Sequence, residues 1–310
     1  MSVFISGSIA YDTILHFDGV FAEQLRGDLR HLNLTLQAKS MTRQFGGCAG
    51  NIAYSLKCLG GDPVIVTSVG RDADDYLTHL QHLDITTAGI LKINDAYTAQ
   101  AIITTDALGN QLCTFHEGAM SRAAQANWPR QKFNWGIVTP TATPVMKTHT
   151  EMLREKAIPI IWDMGQASAY LSGDDIEWFL DRIHILTVSE FEWDVLLQKT
   201  GRDAQSVCHK VPCIVVTAGA QGVTTFYQGE KQHFDAITVK HPVNPVGCGD
   251  AFRGGLLRGL ELKLSWKQTI QLAMLMGAIK VSHESAQGYQ LDQVEAARLY
   301  ERAFKEKVTL

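Results

Sequence analysis

The stretch "HPVNPVGCGDAFRGGLLRGL", His241–Leu260, decides how the chain is read. Phe252, Leu256 and Leu260 recur every four positions, with small Ala251, Gly254 and Gly255 between them, which predicts a helix packed closely on a sheet. Gly247, Cys248 and Gly249 then fall at the start of that helix, and Asp250 in its first turn. The first-turn N–H groups of a helix have no partners within it, and the helix dipole adds partial positive charge, so such an end binds anions. Glycines let a phosphate approach the backbone. A carboxylate there would repel the phosphate unless it had its own task. Accepting the proton of a hydroxyl nucleophile is one such task; a favourable acidic residue in a first helical turn is the plainer alternative.

Composition narrows the partners. With 310 residues, 45% hydrophobic and 19% charged, and a formal net charge of -4, the chain has the make-up of a soluble globular protein with a sizeable core. It has no basic block or basic-aromatic stripe, so nucleic acid is not expected as a partner. No apolar run approaches the length of a membrane span, and "MSVFISGSIAYD" lacks a basic segment followed by a long apolar core. A cytoplasmic protein, monomeric or homodimeric, is expected. The six cysteines are scattered without zinc-ligand spacing and read as reduced thiols. His79 and His82 have no third ligand nearby and read as a solvated helix face.

Six short β-rich runs begin at Val3, Val64, Gly136, Ile158, Ile183 and Cys213, many with helical stretches between them. This pattern predicts an α/β fold: a doubly wound, mostly parallel sheet with helices on both faces. Ligands of such sheets bind beyond the carboxyl ends of the strands, where Gly7, Ser68, Gly70, Asp163, Ser189, Thr217 and Gly219 fall. Two stretches break the alternation, "LRHLNLTLQAKSM" from Leu29 and "AQAIITTDALGNQLCTFH" from Ala99, with "DALGNQ" reading as a hairpin turn. They predict a small β-sheet lid inserted into a single 1–310 domain at about 13–43 and 97–118; an extension of the main sheet's edge is the alternative.

Further candidates sit near these strand ends. Gly46 and Gly47 precede a helix carrying Ile52, Leu56 and Leu59 on one face, and Asn51 on its first turn has both donor and acceptor for substrate hydroxyls. An ordinary loop-to-helix joint would have the same letters. Asp12 follows the first strand and is either a ligand for two hydroxyls or a turn residue. Thr217, Gly219 and Gly222 form either a phosphate-contacting turn or a hairpin. Glu192 either touches the hydration shell of a magnesium ion or simply favours a helix start.

Together, "GGCAGNIAYSLKCLGG" from Gly46 and "NPVGCGDAF" from Asn244 resemble the signatures of the ribokinase-like carbohydrate kinases, the PfkB family, with the resemblance spanning essentially the whole chain. It implies that Asp250 is the catalytic base, with Gly247, Cys248 and Gly249 forming an anion hole. Asp12, Gly46, Gly47 and Asn51 would hold the sugar, and Glu192, Thr217, Gly219, Gly222 and Asn244 would lie on the nucleotide side, Glu192 meeting Mg2+ through water. ATP and Mg2+ are the implied cofactors. In many relatives the loop at Asn244–Val246 also helps hold a monovalent cation such as K+; here Asn244 replaces the usual Asp and Val246 a common Thr, and Ser189 replaces the Asn of the usual N-x-x-E pattern. "DMGQ", "TFHEGAM" and "GCGDAFRGGLL" are most similar to bacterial adenosine kinases, which implies 5'-phosphorylation of adenosine, with Phe115, His116 and Gln166 near the base. The alternatives are a free-sugar kinase, another nucleoside kinase, or a non-catalytic sensor on the same scaffold. A nicotinamide dehydrogenase is disfavoured because "SGSIAYD" lacks a full G-x-G-x-x-G.

Overall fold

The structure is a computed structural model and describes residues 1–24 and 34–310. Its strands are β1 Ser2–Ser6, β2 Ala10–Phe17, β3 Ala38–Gly46, β4 Pro63–Gly70, β5 Ile90–Ile93, β6 Ala99–Thr105, β7 Gln111–His116, β8 Phe133–Val138, β9 Ile160–Asp163, β10 Ile185–Ser189, β11 Cys213–Thr217, β12 Val223–Tyr227 and β13 Glu230–Phe234. The helices are α1 Phe21–Gln24, α2 Cys48–Cys58, α3 Asp74–His82, α4 Thr143–Glu155, α5 Gly173–Leu180, α6 Glu190–Thr200, α7 Ala204–Lys210, α8 Cys248–Glu261, α9 Trp266–Val281 and α10 Gln293–Phe304.

Nine strands form one sheet in the order β13-β12-β11-β10-β9-β8-β1-β4-β5. All six β-rich runs lie in its parallel part, where residues such as Phe4, Ile5, Val66 and Leu186 are buried without alternation because helices cover both faces. Chain order reverses at β1, which lies between β8 and β4, so the crevice outside its carboxyl end is the place for a ligand. Two features escaped the strand reading: short β5, and the β12–β13 hairpin, which closes one edge antiparallel. Among the described residues no helix is long and apolar enough to cross a membrane.

The second sheet has the order β3-β2-β6-β7 and forms the fold's small separate layer. Its hairpin between β6 and β7 is fixed by Asp106, whose carboxylate accepts the N–H groups of Leu108 (2.9 Å) and Asn110 (2.8 Å) and reaches across to Phe21 (3.0 Å). The other stretch needs correction. A strand expected from Leu29 begins only at Ala38, because its partner β2 runs out at the Phe17–Ala38 pair; residues 29–33 lie outside the described residues. Asp12, left open as a turn residue, stands inside β2 and pairs with Gln44.

Small residues bring the site helices together. A Cβ on Gly254 would lie 2.5 Å from Ser55 Cβ on α2, and one on Gly255 would lie 2.7 Å from Ala273 Cα on α9. Thus α8 fits between α2 and α9 with Phe252 and Leu256 in the core, and its N-terminus arrives beside the start of α2.

Candidate active site

Gly247 caps α8 in the left-handed conformation, with φ 82°. A Cβ there would lie 2.6 Å from Ala286 Cβ, so both backbone and space require glycine. The Cys248 N–H, expected to serve the anion hole, is instead donated to Pro245 O at 3.1 Å, closing a turn. Among the described residues the N–H groups of Gly247, Gly249 and Asp250 find no acceptor, so they remain for an anion. Gly249 has a further reason. A Cβ there would meet Arg253 Nη1 at 2.6 Å, one turn along α8.

Arg253 is the residue the sequence reading passed over. Its buried guanidinium donates to Asp163 Oδ1 at the end of β9 and to Thr187 Oγ1 (3.2 Å) in β10. Burial pushes the Asp163 carboxyl upward against the pull of Arg253. The guanidinium also counters the burial that raises Asp250, an effect to which hydrogen bonds from Asn51 and Cys48 contribute. Its motif letter was visible; its buried ionic partner, ninety residues away, was not.

Asp250 is half-buried, and Asn51 Nδ2 donates to its Oδ2 at 2.8 Å. The orientation of Asn51 is itself fixed. Gln287 Nε2 donates to Asn51 Oδ1 (3.0 Å) and to Tyr76 Oη (2.7 Å), and Tyr76 donates on to Gly46 O (2.7 Å). Gln287 Oε1 faces His79 Nε2 at 3.0 Å, and burial lowers the His79 pKa, so the neutral ring donates through this nitrogen. His79, read as solvated, is therefore part of a chain that ends at Asp250. No spacing could reveal that chain, since it joins α2, α3 and the loop before α10.

Asp12 faces the same crevice. Burial, with the charge of Asp250 adding to it, pushes its carboxyl up to about 6. A Cβ on Gly46 would overlap Asp12 Oδ2, so that glycine makes room for the carboxylate. Gly47 turns the chain into α2 with φ 87°. Gln166, exposed after β9, has its Oε1 3.9 Å from Cys48 Sγ, in the first turn of α2. In the small sheet the cross-strand row runs Asp12, Ala101, Phe115, which places Phe115 on the Asp12 face; it is 52% exposed. His116 pairs with Gln100 and by alternation lies on the opposite face, so the two residues expected together near the base separate.

On the other side of α8, a cavity of about 600 Å³ joins Thr217, Gly219 and Gly222 to Cys248 and Gly249, with Val239 and Met274 among its apolar walls. That volume suits a nucleotide. Asn244 and Glu192 do not line it. The Asn244 amide is used by Val246 in its own loop and by the Glu284 carbonyl beyond α9, and Glu192 caps α6, accepting the Ser189 N–H at 2.8 Å while Ser189 Oγ accepts the Glu192 N–H. Ser189, in place of Asn, is thus half of a capping box. Glu192 keeps a second carboxylate oxygen, which fits contact with a hydrated Mg2+. Among the described residues no group of three or more His, Cys, Asp or Glu could hold a metal ion, so magnesium would keep its waters and the nucleotide's phosphates as ligands.

This architecture, a helix end with free N–H groups and a carboxylate between a nucleotide-sized cavity and a small sheet, defines a class. The chain matches the pfkB family of carbohydrate kinases over residues 26–293 and belongs to that family of ATP-dependent phosphotransferases with alcohol acceptors. Within it, the chain is similar to the nucleoside kinase of Burkholderia thailandensis, whose complex with inosine is 35% identical, covers 99% of this chain and 100% of that one, and superposes with a TM-score of 0.89. The complex of the same kinase described as ADP-inosine superposes with a TM-score of 0.86, at 35% identity and covering 99% and 98% of the two chains. A nucleoside kinase of Methanothermobacter thermautotrophicus is 26% identical over 300 residues, 95% of this chain and 94% of its own.

Proposed function

We propose that the protein transfers the γ-phosphoryl group of ATP to the 5'-hydroxyl of a nucleoside, with adenosine as an accepted substrate, giving AMP and ADP in the cytoplasm. Asp250 accepts the hydroxyl proton while Asn51 holds the carboxylate in place. The free N–H groups of Gly247, Gly249 and Asp250 face the transferring phosphoryl group and stabilise the charge spread over its equatorial oxygens in the transition state. Mg2+, when bound with ATP, would be met by Glu192 and would neutralise phosphate charge. Asp12 takes the ribose hydroxyls.

The observation that carries the nucleoside reading is the row from Asp12 to Phe115. Two inter-strand steps span roughly 10 Å, which suits a base stacked beyond its ribose better than a lone pentose. The inosine complex of the Burkholderia thailandensis kinase supports a purine there. The Gln166 amide can donate to or accept from a purine edge, so adenosine and inosine are both compatible. A panel of nucleosides and free sugars, assayed for ADP release with ATP and Mg2+, tests this: adenosine should show a higher kcat/KM than ribose or fructose. A free sugar outcompeting every nucleoside would overturn the reading.

A further inference from the structure

Lys280 lies near the C-terminal end of α9 and is 0% exposed. Among the described residues it has no carboxylate within ion-pair distance. Its ammonium instead donates to two backbone carbonyls, Asn244 O at 2.8 Å and His283 O at 2.9 Å. A buried cation without an ion pair is costly unless its surroundings favour the charge. Burial lowers the Lys280 pKa, and the helix C-terminus, the two carbonyl dipoles and the nearby Glu284 carboxylate work against that loss of charge. Its charge also reaches the neighbouring anion loop, where it draws the Cys248 thiol downward against the larger effect of burial.

The loop it grips leads directly into the phosphate-binding end of α8. Val243 and Asn244 donate their N–H groups to Val281 O (2.7 and 3.2 Å). Asn244 Nδ2 donates to Glu284 O at 2.8 Å, and its Oδ1 accepts the Val246 N–H at 2.9 Å. An aspartate at 244 could not make the first of these side-chain bonds, which accounts for the amide at this position. A monovalent metal ion held by this loop does not fit: the Asn244 carbonyl is taken by Lys280, the Asn244 amide nitrogen points at the adjacent Glu284 carbonyl, and Val246 offers no hydroxyl.

We infer that the Lys280 ammonium is a built-in cation that fixes the Asn244–Cys248 loop and stands in for a dissociable monovalent metal ion beside the anion hole. Lys280 touches no substrate and acts as a positioning residue, through the backbone that presents the Gly247, Gly249 and Asp250 N–H groups. The inference rests on reading this helix end as the phosphoryl-transfer centre, and not on which nucleoside is the acceptor.

Turnover of the protein with ATP, Mg2+ and its best nucleoside should be compared in KCl, NaCl and N-methylglucamine chloride at equal ionic strength. Wild-type rates should agree within about twofold; severalfold activation by K+ would overturn the inference. Lys280→Met should lose about tenfold or more in kcat, and ammonium or K+ should restore part of it while N-methylglucamine does not. A folded Lys280→Met with wild-type rates in every salt would equally overturn it. Calorimetric binding of Mg-ADP in the same salts needs no acceptor, so this arm stands if the nucleoside reading fails: wild-type affinity should be indifferent to the cation, and a K+-dependent affinity refutes the inference. If Lys280→Met does not fold, Lys280→Arg keeps the charge and should remain indifferent to K+; acquired K+ activation in that variant would count against the role.

Discussion

The two halves of the site are built in opposite ways. The phosphate half, at the start of α8, is held by backbone bonds from the loop before it, by the buried Asp163–Arg253 pair and by buried Lys280. The acceptor half lies on a four-stranded sheet whose outermost strand, β7, is exposed along its whole length. Arg253 and Lys280 lock the half that, in the proposed reaction, meets a phosphate, a group common to every kinase reaction. The half that meets the acceptor has few such restraints, so its side chains can select a ligand without disturbing the chemistry.

The largest effect is expected at Asp250, in the phosphate half. Asp250→Asn keeps the shape and can still meet Asn51, but it cannot take a proton. Turnover should fall by roughly a hundredfold or more, with KM for ATP and nucleoside changed far less. Steady-state kinetics alongside a melting curve checks this; near-normal kcat in a folded variant would remove the base assignment.

A smaller effect should separate the two faces of the small sheet. Phe115→Ala removes an aromatic surface on the Asp12 face and should lower kcat/KM for adenosine by roughly tenfold, chiefly through KM, as the loss of one base-stacking contact does. His116→Ala, on the opposite face, should change it by less than about twofold. Equal losses in the two variants would mean that the cross-strand row does not set the binding face.

What could be read from sequence divides along the same line. The six buried strands, the helix end and its carboxylate are local patterns of periodicity and glycine placement, and all were legible. Residues whose work depends on distant partners were not. Arg253 needs Asp163, His79 needs Gln287, and Lys280 needs the Asn244 carbonyl. Glycine at 249 was read as room for a phosphate, whereas the structure fills the space beneath it with Arg253. The β12–β13 hairpin escaped because β13 is mostly exposed and polar, so it lacked the apolar run that marked the inner strands.

The smallest expected effect is on stability, and it sharpens the difference between the halves because Asp12 belongs to the acceptor side while feeling the charge of Asp250. Its carboxyl is raised to about 6 in the folded protein and returns to the ordinary range, about 3.9, when unfolded. Between those values the native state binds more protons than the unfolded one, so this residue's contribution to stability rises as pH falls from about 6 toward 4. The raw melting curve mixes signs: buried His149, lowered to about 4, loses stability over much of the same window. The difference between wild type and Asp12→Asn isolates the carboxylate. Asparagine carries no charge to desolvate and does not repel Asp250, so the variant should be the more stable protein at pH 7, by at most about 3 kcal/mol. That advantage should shrink as pH falls through 6 and be gone near 4. Activity should move the other way, because the variant loses an ionised acceptor for the ribose hydroxyls. Chemical denaturation of both proteins at pH 4.0, 5.5 and 7.0, spanning about 3 pH units around the shifted value, measures this. A stability difference that does not change with pH would mean that Asp12 is not held in the strained, charged state beside Asp250.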